Sequence, residues 1–238
     1  MKNKKPIIGI VGYIEKINEK TYITVDEFFR ESIIISGGIP ILILPTQHLY
    51  YDTNIAPSKI ARLTEEEKKD IETIVDLCDG ILFQGGNYWY QFSEYIFDLA
   101  NEKNKSILGI CIGMQLMVGA INRKYGDGTY KNIKNETKID HLNIPSDQYV
   151  HSVIFKDNTK IEKIFDCKEI KVNSRHGYHI GNVNEYTISG YSEDGIPESI
   201  ELPNKEFVIG VQWHPERLIH KDENSKKIFK EFVDSCKN

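Results

Sequence analysis

A seven-residue segment, Gly-Ile-Cys-Ile-Gly-Met-Gln at residues 109–115, is the feature that most constrains the fold of this 238-residue chain. It follows an apolar run and opens a helical pattern, which predicts a strand, a sharp turn and a helix. Cys111 then lies on a strained turn with its side chain exposed at the end of the sheet. Gly109 and Gly113 remove the Cβ atoms that would clash where strand and helix cross. The helix N-terminus favours the thiolate, so we interpret Cys111 as a nucleophile rather than a buried structural cysteine.

A base for this nucleophile lies about a hundred residues further along the chain. Residues 207–212 read as a buried strand, and Trp-His-Pro-Glu follows at 213–216. His214, at the end of that strand, can reach the turn of a neighbouring strand. Glu216 is close enough to accept the other ring N–H, which fixes the tautomer and stabilises the imidazolium. We therefore predict a triad of Cys111, His214 and Glu216.

These two segments together resemble the class I glutamine amidotransferase superfamily and, within it, the gamma-glutamyl-gamma-aminobutyrate hydrolase family. Weaker segments fit the resemblance in order along the chain, at residues 6–10, 37–40, 84–86, 172–176 and 192–195. The resemblance runs from about residue 5 to residue 220. It implies an α/β fold: a doubly wound, mostly parallel, flavodoxin-like sheet flanked by helices, with a small antiparallel portion in the C-terminal half.

Two positions depart from the family pattern. Many relatives carry arginine directly after the nucleophile, where this chain has Ile112. Relatives also tend to show an Asp and a Pro after the double glycine, where residues 87–90 read Asn-Tyr-Trp-Tyr. Both departures lie near the expected pocket, so they bear on the substrate rather than on the chemistry.

The remaining site residues are predicted partly from geometry and partly from the resemblance. An oxyanion needs backbone N–H donors already in place, and the N–H of Ile112 at the helix start is one. The resemblance places the other at Gly86, although a double glycine can also be a simple turn. It also implies substrate binding by Gln115, for which a solvent-facing helix position is the alternative. By the same resemblance, the amino-acid end of the substrate would contact Asn173, Ser174, Arg175 and His176. The alternative for Arg175 is an arginine exposed at the surface with no ligand.

Composition excludes several classes of function. The net charge of -5 gives no basic surface for nucleic acid, and no apolar run approaches the roughly 20 residues needed to cross a bilayer. Four scattered cysteines without a Cys-x-x-Cys pair argue against a disulfide framework or a zinc site and fit a reducing cytoplasm. The basic N-terminus lacks a cleavage site, so a signal peptide is not expected. His141 and His151 have no partner at metal-ligand spacing in the sequence, and we interpret both as structural or exposed.

The order of sequence patterns supports the α/β class within one domain over residues 1–238. Apolar strand candidates alternate with helical patterns, as in sheets with right-handed crossovers. The strands are predicted at 6–12, 40–44, 79–84 and 106–110, and the helices at 26–36, 64–77 and 93–102. Shorter alternating runs at 150–155, 168–172, 186–190 and 197–201 predict antiparallel strands. Residues 122–144 are predicted to form a long loop that could act as a lid.

We therefore expect a cytoplasmic cysteine hydrolase that cleaves gamma-glutamyl amides through a thioester and releases glutamate. The partner is a small-molecule substrate, with no nucleic acid and no membrane, and the oligomeric state, including a homodimer, is left open. No metal or organic cofactor is implied. One alternative is a glutaminase that delivers ammonia to a synthetase. Another is a catalytically inactive binding protein that keeps the fold as a sensor.

Overall fold

The computed structural model describes residues 4–46, 62–86, 90–128, 130–132, 137–142 and 145–237. Its strands are β1 Ile7–Val11, β2 Tyr13–Ile17, β3 Lys20–Thr24, β4 Ile39–Ile43, β5 Gly80–Phe83, β6 Ser106–Ile110, β7 Tyr130–Asn132, β8 His151–Phe155, β9 Glu169–Val172, β10 Tyr178–Ile180, β11 Thr187–Ser192, β12 Pro197–Glu201 and β13 Val208–Val211. The α-helices are α1 Glu27–Ile35, α2 Glu65–Leu77, α3 Gln91–Glu102, α4 Ile112–Asn122, α5 Lys160–Phe165 and α6 Glu223–Ser235. Short 3-10 helices span Arg123–Tyr125 and Pro215–Leu218.

A nine-stranded mixed sheet forms the centre of the fold, in the order β4-β1-β5-β6-β13-β12-β11-β8-β9. The strands from β4 to β13 in this order are parallel to one another, and the pairings from β13 to β9 are antiparallel. Strands β5, β6 and β13 are buried along their whole length, as parallel strands covered on both faces should be. The predicted fold class, an α/β sheet with an antiparallel portion in the C-terminal half, is confirmed.

Helices cover the two faces of this sheet and define two apolar cores. One core gathers residues of α2, α3 and α4, and the other gathers residues of α1, α5 and α6. The predicted capping box of α2 is present, because Thr64 accepts from the N–H of Glu67 and the Glu67 carboxylate accepts from the N–H of Thr64. Within the described part of the chain, every helix is too short or too polar to cross a bilayer.

Several elements of the fold were not predicted from the sequence, among them α5, α6 and two small antiparallel sheets. Strands β2 and β3 form an antiparallel hairpin directly after β1, and β7 pairs with β10 in a second small sheet. The β2–β3 hairpin shows no alternation of apolar and polar residues in the sequence, because β3 carries only exposed or half-buried residues. The long loop expected at 122–144 contains the end of α4, a 3-10 helix and β7, while residues 129, 133–136 and 143–144 lie outside the described residues.

Candidate active site

Cys111 occupies the turn between β6 and α4. Its backbone adopts φ 54° and ψ −111°, a region that side-chain-bearing residues rarely occupy. The strain is held by the surrounding structure, since β6 is buried and the N–H of Cys111 donates to the carbonyl of Val211 at 2.8 Å. A strained residue between a strand and a helix is the geometry of a nucleophile elbow. The turn predicted from residues 109–115 is therefore present.

The glycines on either side of Cys111 are required by close packing. A Cβ on Gly109 would lie 2.3 Å from Sδ of Met117 and 2.9 Å from the carbonyl oxygen of Gly113. A Cβ on Gly113 would lie 2.2 Å from the carbonyl oxygen of Phe83 on β5. Because that neighbour is backbone, it cannot rotate away as a side chain could. The strand and the helix can approach this closely only with glycine at both positions.

His214 and Glu216 reach the same place from the end of β13. Strand β13 pairs with β6 in parallel register, with Val211 opposite Ile110, so the carboxyl ends of the two strands lie side by side. His214 Nδ1 is 2.7 Å from Glu216 Oε1, and the Glu216 side chain is fully buried. This contact leaves Nε2 as the ring nitrogen available to a nucleophile.

The position of Gly85 shows how close the imidazole and the thiol are. A Cβ built on Gly85 would lie 2.8 Å from Cε1 of His214 and 3.6 Å from Cβ of Cys111. A methyl group at the position of Gly85 would therefore contact both the imidazole of His214 and the side chain of Cys111. The structure thus brings Cys111, His214 and Glu216 together at the carboxyl ends of two adjacent parallel strands, where ligands bind in open α/β sheets.

The electrostatics of this group favour a charged imidazole. Burial alone would lower the pKa of His214, but the neighbouring Glu216 carboxylate and Cys111 thiol raise it to about 10. The raised pKa keeps the ring protonated up to mildly alkaline pH, and the proton is lost only as the pH rises through that value. A protonated imidazole beside a thiol stabilises the thiolate form of that thiol.

We expect iodoacetamide at neutral pH to modify Cys111 at least about ten times faster than any other cysteine of the chain. Burial raises the pKa of Cys78 to about 11 and that of Cys236 to about 12, so both thiols stay protonated. Cys167, half-buried at the surface, is the matched control for simple accessibility. Time-resolved mass spectrometry of the four cysteine peptides measures the rates. Equal labelling of all four thiols would contradict an activated Cys111.

The predicted oxyanion donors lie at the start of α4 and on the loop after β5. Ile112 is the first residue of α4, so its N–H has no carbonyl partner inside the helix. Gly86 follows β5 and lines the same cavity as Cys111. A Cβ on Gly86 would lie 2.6 Å from Cε2 of Tyr13, so a larger residue would displace that ring. The backbone can therefore approach the site closely at Gly86.

A cavity of about 450 Å³ opens in front of the triad. Its lining combines the catalytic candidates with residues of the β2–β3 hairpin, the start of α1 and the loop after β5: Tyr13, Glu15, Thr24, Val25, Asp26, Phe29, Gln84, Gly85, Gly86, Cys111, Arg175, His214, Glu216 and Arg217. Arg217 is held by an ion pair with Asp26 and stacks on the Phe28 ring at 4.9 Å. Arg175 is exposed and forms no ion pair with the described residues, so its guanidinium is available to an anionic ligand.

The other predicted substrate-binding residues lie behind the cavity wall rather than in it. Asn173 accepts from the N–H of His214 at 2.9 Å and donates to the carbonyl of His214 at 2.8 Å, so it fixes the backbone of the base. Gln115 is buried and donates to Gln212 Oε1 and to the carbonyl of Tyr178, both at 3.1 Å. His176 is also buried and belongs to a separate cluster with His141, His151 and Glu198, and the buried Ser174 contacts His141.

Two parts of the site were missed in the sequence. The β2–β3 hairpin supplies Tyr13, Glu15 and Thr24 to the cavity, although nothing in its composition marks it. Gln84, which in the sequence is only the residue before the double glycine, is buried. Its amide donates to the carbonyl of Val11 at 2.8 Å and to the carbonyl of Thr24 at 3.0 Å. A buried glutamine directly after an apolar strand was the available signal, because such an amide must be satisfied by backbone groups nearby.

Comparison with known proteins agrees with this geometry. The family profile described as Peptidase C26 matches residues 90–216, which include the elbow and the His-Pro-Glu segment. A Rickettsia prowazekii protein described as glutamine amidotransferase-like is 30% identical, and the match covers 90% of this chain and 92% of that protein. The gamma-glutamyl-gamma-aminobutyrate hydrolase of Escherichia coli is 24% identical over 98% of this chain and 94% of its own length.

A solved structure shows the same fold. A Thermoplasma acidophilum protein described as a GMP synthase component superposes with a TM-score of 0.65 at 15% identity. The superposition covers 98% of this chain and 94% of the other. Together with the relatives, it confirms the resemblance identified from the sequence. The chain therefore belongs to the Peptidase C26 family and is a hydrolase of the class I glutamine amidotransferase-like type.

Proposed function

We propose that this protein is a cysteine hydrolase that cleaves the gamma-glutamyl amide bond of a gamma-glutamyl amine. The observation that carries the proposal is the juxtaposition of Cys111, His214 and Glu216 at the mouth of a cavity of about 450 Å³. That volume is within the range of pockets for small organic ligands, roughly 300–1,000 Å³, and leaves room for an amine substituent beside the glutamyl group. The hydrolase of Escherichia coli named above acts on a substrate of this class.

In the proposed reaction the thiolate of Cys111 attacks the gamma-carbonyl carbon. The N–H groups of Ile112 and Gly86 stabilise the negative charge on oxygen. His214, protonated and oriented by Glu216, gives its proton to the nitrogen of the leaving amine as the C–N bond breaks. The product of this step is a gamma-glutamyl thioester. A water molecule that loses a proton to His214 then attacks the thioester, releases glutamate and restores the thiolate.

Arg175 supports a substrate with a carboxylate at its amino-acid end. It is the basic residue of the cavity lining that lacks an acidic partner among the described residues, since Arg217 is paired with Asp26. A guanidinium binds a carboxylate through two parallel hydrogen bonds, which fixes the orientation of the ligand. Arg175 and Cys111 line the same cavity, so one ligand can contact both residues.

The isolated protein is expected to cleave at least one gamma-glutamyl amine at about 1 per second or faster. Free glutamine should be a poorer substrate, because a bare amide leaves the amine side of the cavity empty and contributes less transition-state binding. A panel of gamma-glutamyl amines, including the 4-aminobutyrate conjugate and glutamine itself, is assayed by glutamate release. Glutamine as the only substrate, with activity that rises sharply on addition of a partner protein, would contradict the proposal.

Within the same panel, Arg175→Ala should raise KM for every substrate by about tenfold or more, with a smaller effect on kcat. The matched control is Arg30→Ala, because Arg30 is an exposed arginine paired with Glu27 and does not line the cavity. An unchanged KM in Arg175→Ala would remove the carboxylate-binding role from Arg175. It would leave the hydrolase chemistry of the triad intact.

The alternative function is a glutaminase that delivers ammonia to a synthetase. It is favoured by the likeness to the protein described as a GMP synthase component, which extends over nearly the whole of both chains. A glutaminase of that kind should be slow in isolation, since unused ammonia is wasted. The same panel separates the two functions by the rate of the isolated chain. An inactive binding protein, the third possibility, would show no turnover with any member of the panel.

A further inference from the structure

A second cluster of functional side chains lies in the C-terminal half of the fold, apart from the cavity. It consists of His141, His151, His176 and Glu198, which are all buried. One potential ligand atom from each residue lies within 4.8 Å of all the others. His141 and His151, interpreted from the sequence as structural or exposed, are both buried and lie close to one another in space. Sequence spacing could not show it, because four separate segments supply the four residues.

The distances within this histidine–glutamate cluster centre on one carboxylate oxygen. Glu198 Oε1 is 3.3 Å from His176 Nε2, 3.5 Å from His151 Nε2 and 3.5 Å from His141 Nδ1. Four ligands at about 2.0–2.1 Å from a tetrahedral zinc ion are about 3.3–3.4 Å apart. Three of the six edges of such a tetrahedron are therefore already close to the required length.

On the side that faces away from Glu198, each imidazole also contacts a group that can only accept hydrogen bonds. His151 Nδ1 is 3.1 Å from the carbonyl of Ser152, and His176 Nδ1 is 3.0 Å from the carbonyl of Tyr178. The outer nitrogen of His141 is 3.2 Å from the carboxylate of Asp194. In a neutral ring these outer nitrogens carry the hydrogen, so the inner nitrogens present lone pairs to Glu198. Metal-binding histidines are oriented by outer carbonyls and carboxylates in this way.

No hydrogen-bond donor compensates these lone pairs within the described part of the chain. His151 Nε2, His176 Nε2 and both carboxylate oxygens of Glu198 are buried without a hydrogen-bond partner. Ser174 Oγ lies 3.3 Å from His141 Nδ1, but its single hydrogen is directed to the carbonyl of His141 at 2.8 Å. Three lone pairs and a carboxylate that face one another in the interior repel unless a positive charge lies between them.

We propose that His141, His151, His176 and Glu198 bind one divalent transition-metal ion, with zinc the best match. Imidazole nitrogens and a carboxylate oxygen are donors that zinc accepts, and a tetrahedral arrangement of four is its usual structural coordination. The two positive charges of the ion are balanced by Glu198 and by Asp194 behind His141. Because the protein supplies all four ligands and every ligand is buried, the site is structural rather than catalytic.

The proposed ion would tie a turn and the loop after β9 to two strands of the central sheet. His141 lies in a turn, His151 begins β8, His176 follows β9, and Glu198 lies on β12. The segment after β9 also carries Asn173, which holds the backbone of His214 through two hydrogen bonds. Metal binding would therefore stabilise the fold and the wall of the active site together. The inference itself does not depend on the proposed hydrolase function.

The experiment measures metal binding directly, in a Cys111→Ala background without an affinity tag. This background removes the thiolate of Cys111, which could bind zinc beside His214. After zinc loading and exhaustive dialysis, elemental analysis should find about one zinc ion per chain, and a chelator should lower the melting temperature. Replacement by cobalt should give the visible absorption bands of tetrahedral coordination. Less than about one tenth of a zinc ion per chain, with no effect of the chelator, would overturn the proposal and favour a proton shared within the cluster.

Variants assign the ion to this cluster. Glu198→Gln keeps the shape of the side chain and should weaken zinc binding by more than about 100-fold, the upper end of the loss for an outer-shell partner. His220→Asn is the matched control, because His220 is exposed on another face, and this variant should retain one zinc ion per chain. If Glu198→Gln does not fold, Asp194→Asn changes only the outer shell and should weaken binding about 10- to 100-fold. Unchanged zinc affinity in a folded Glu198→Gln or in Asp194→Asn would place the ion elsewhere and overturn the proposal.

Discussion

Cys111→Ala is expected to lower turnover by roughly a million-fold while the protein stays folded. Alanine keeps the Cβ atom, so the strained backbone at φ 54° and its packing against β5 and β13 are unchanged, and only the sulfur is lost. Steady-state assays with the best substrate of the panel give the rate, and circular dichroism with thermal melting gives the stability. Without the sulfur no thioester can form, because no other cysteine among the described residues lines the cavity.

The control for this substitution is Cys167→Ala. Cys167 is a half-buried cysteine outside the cavity, so its loss should leave the rate and the melting temperature nearly unchanged. A Cys111→Ala variant that kept substantial activity would rule out covalent catalysis by this residue. Loss of activity accompanied by unfolding would instead show that Cys111 is structural.

His214→Ala is expected to lower kcat about as much as loss of the nucleophile, whereas Glu216→Gln should lower it by roughly 10²- to 10⁴-fold. The carboxylate of Glu216 orients the imidazole at 2.7 Å and raises its pKa, but it does not exchange protons with the substrate. Glutamine keeps the shape and loses the charge. The pKa of His214, about 10 with Glu216 present, should therefore fall towards its ordinary value, and the loss of activity at alkaline pH should begin at lower pH.

The measurement is the dependence of kcat on pH over about pH 6–10 for the wild type and both variants. Glu223→Gln is the matched control, since Glu223 is an exposed glutamate paired with Lys226 on α6. A shift of the alkaline limb in Glu216→Gln alone identifies an orienting carboxylate, which a merely structural role would not produce. If Glu216→Gln and the wild type had the same rate and profile, Cys111 and His214 would suffice as a dyad.

The fold and the proximity of Cys111, His214 and Glu216 could be predicted because local patterns and strand pairing agree. The glycines at 109 and 113 mark a crossing so tight that a Cβ atom at either position would clash. Likewise, β6 and β13 are both continuous apolar runs, which are typical of buried parallel strands, and polar residues at their carboxyl ends must meet at one edge of the sheet. The helix and strand predictions differ from the structure mainly by a residue or two at their ends.

What the sequence could not predict depends on contacts between distant segments. The residues of β3 are exposed or half-buried, so they do not alternate between apolar and polar as a half-buried strand would. The hairpin is attached to the cavity through a hydrogen bond from Gln84, which follows β5, to the carbonyl of Thr24. The histidine–glutamate cluster is assembled from a turn, two strands and a loop, and no spacing rule links its members. Asn173 and His176 are close in the chain, yet Asn173 contacts the backbone of His214 and His176 lies in the histidine–glutamate cluster.

The position of β13 has a consequence for how the chain folds. Among the described residues, Val208–Val211 is the last strand along the chain, yet it lies in the interior of the sheet, hydrogen-bonded to β6 on one side and β12 on the other. Until it emerges from the ribosome, both halves of the sheet present an unpaired edge, which is a site for pairing with other chains. Closure then depends on contacts about a hundred residues apart, such as Val211 with Ile110, which fold slowly. We therefore expect the nascent chain to pass through a long-lived, aggregation-prone state. Cys111 and His214 are then expected to come together only when β13 pairs with β6.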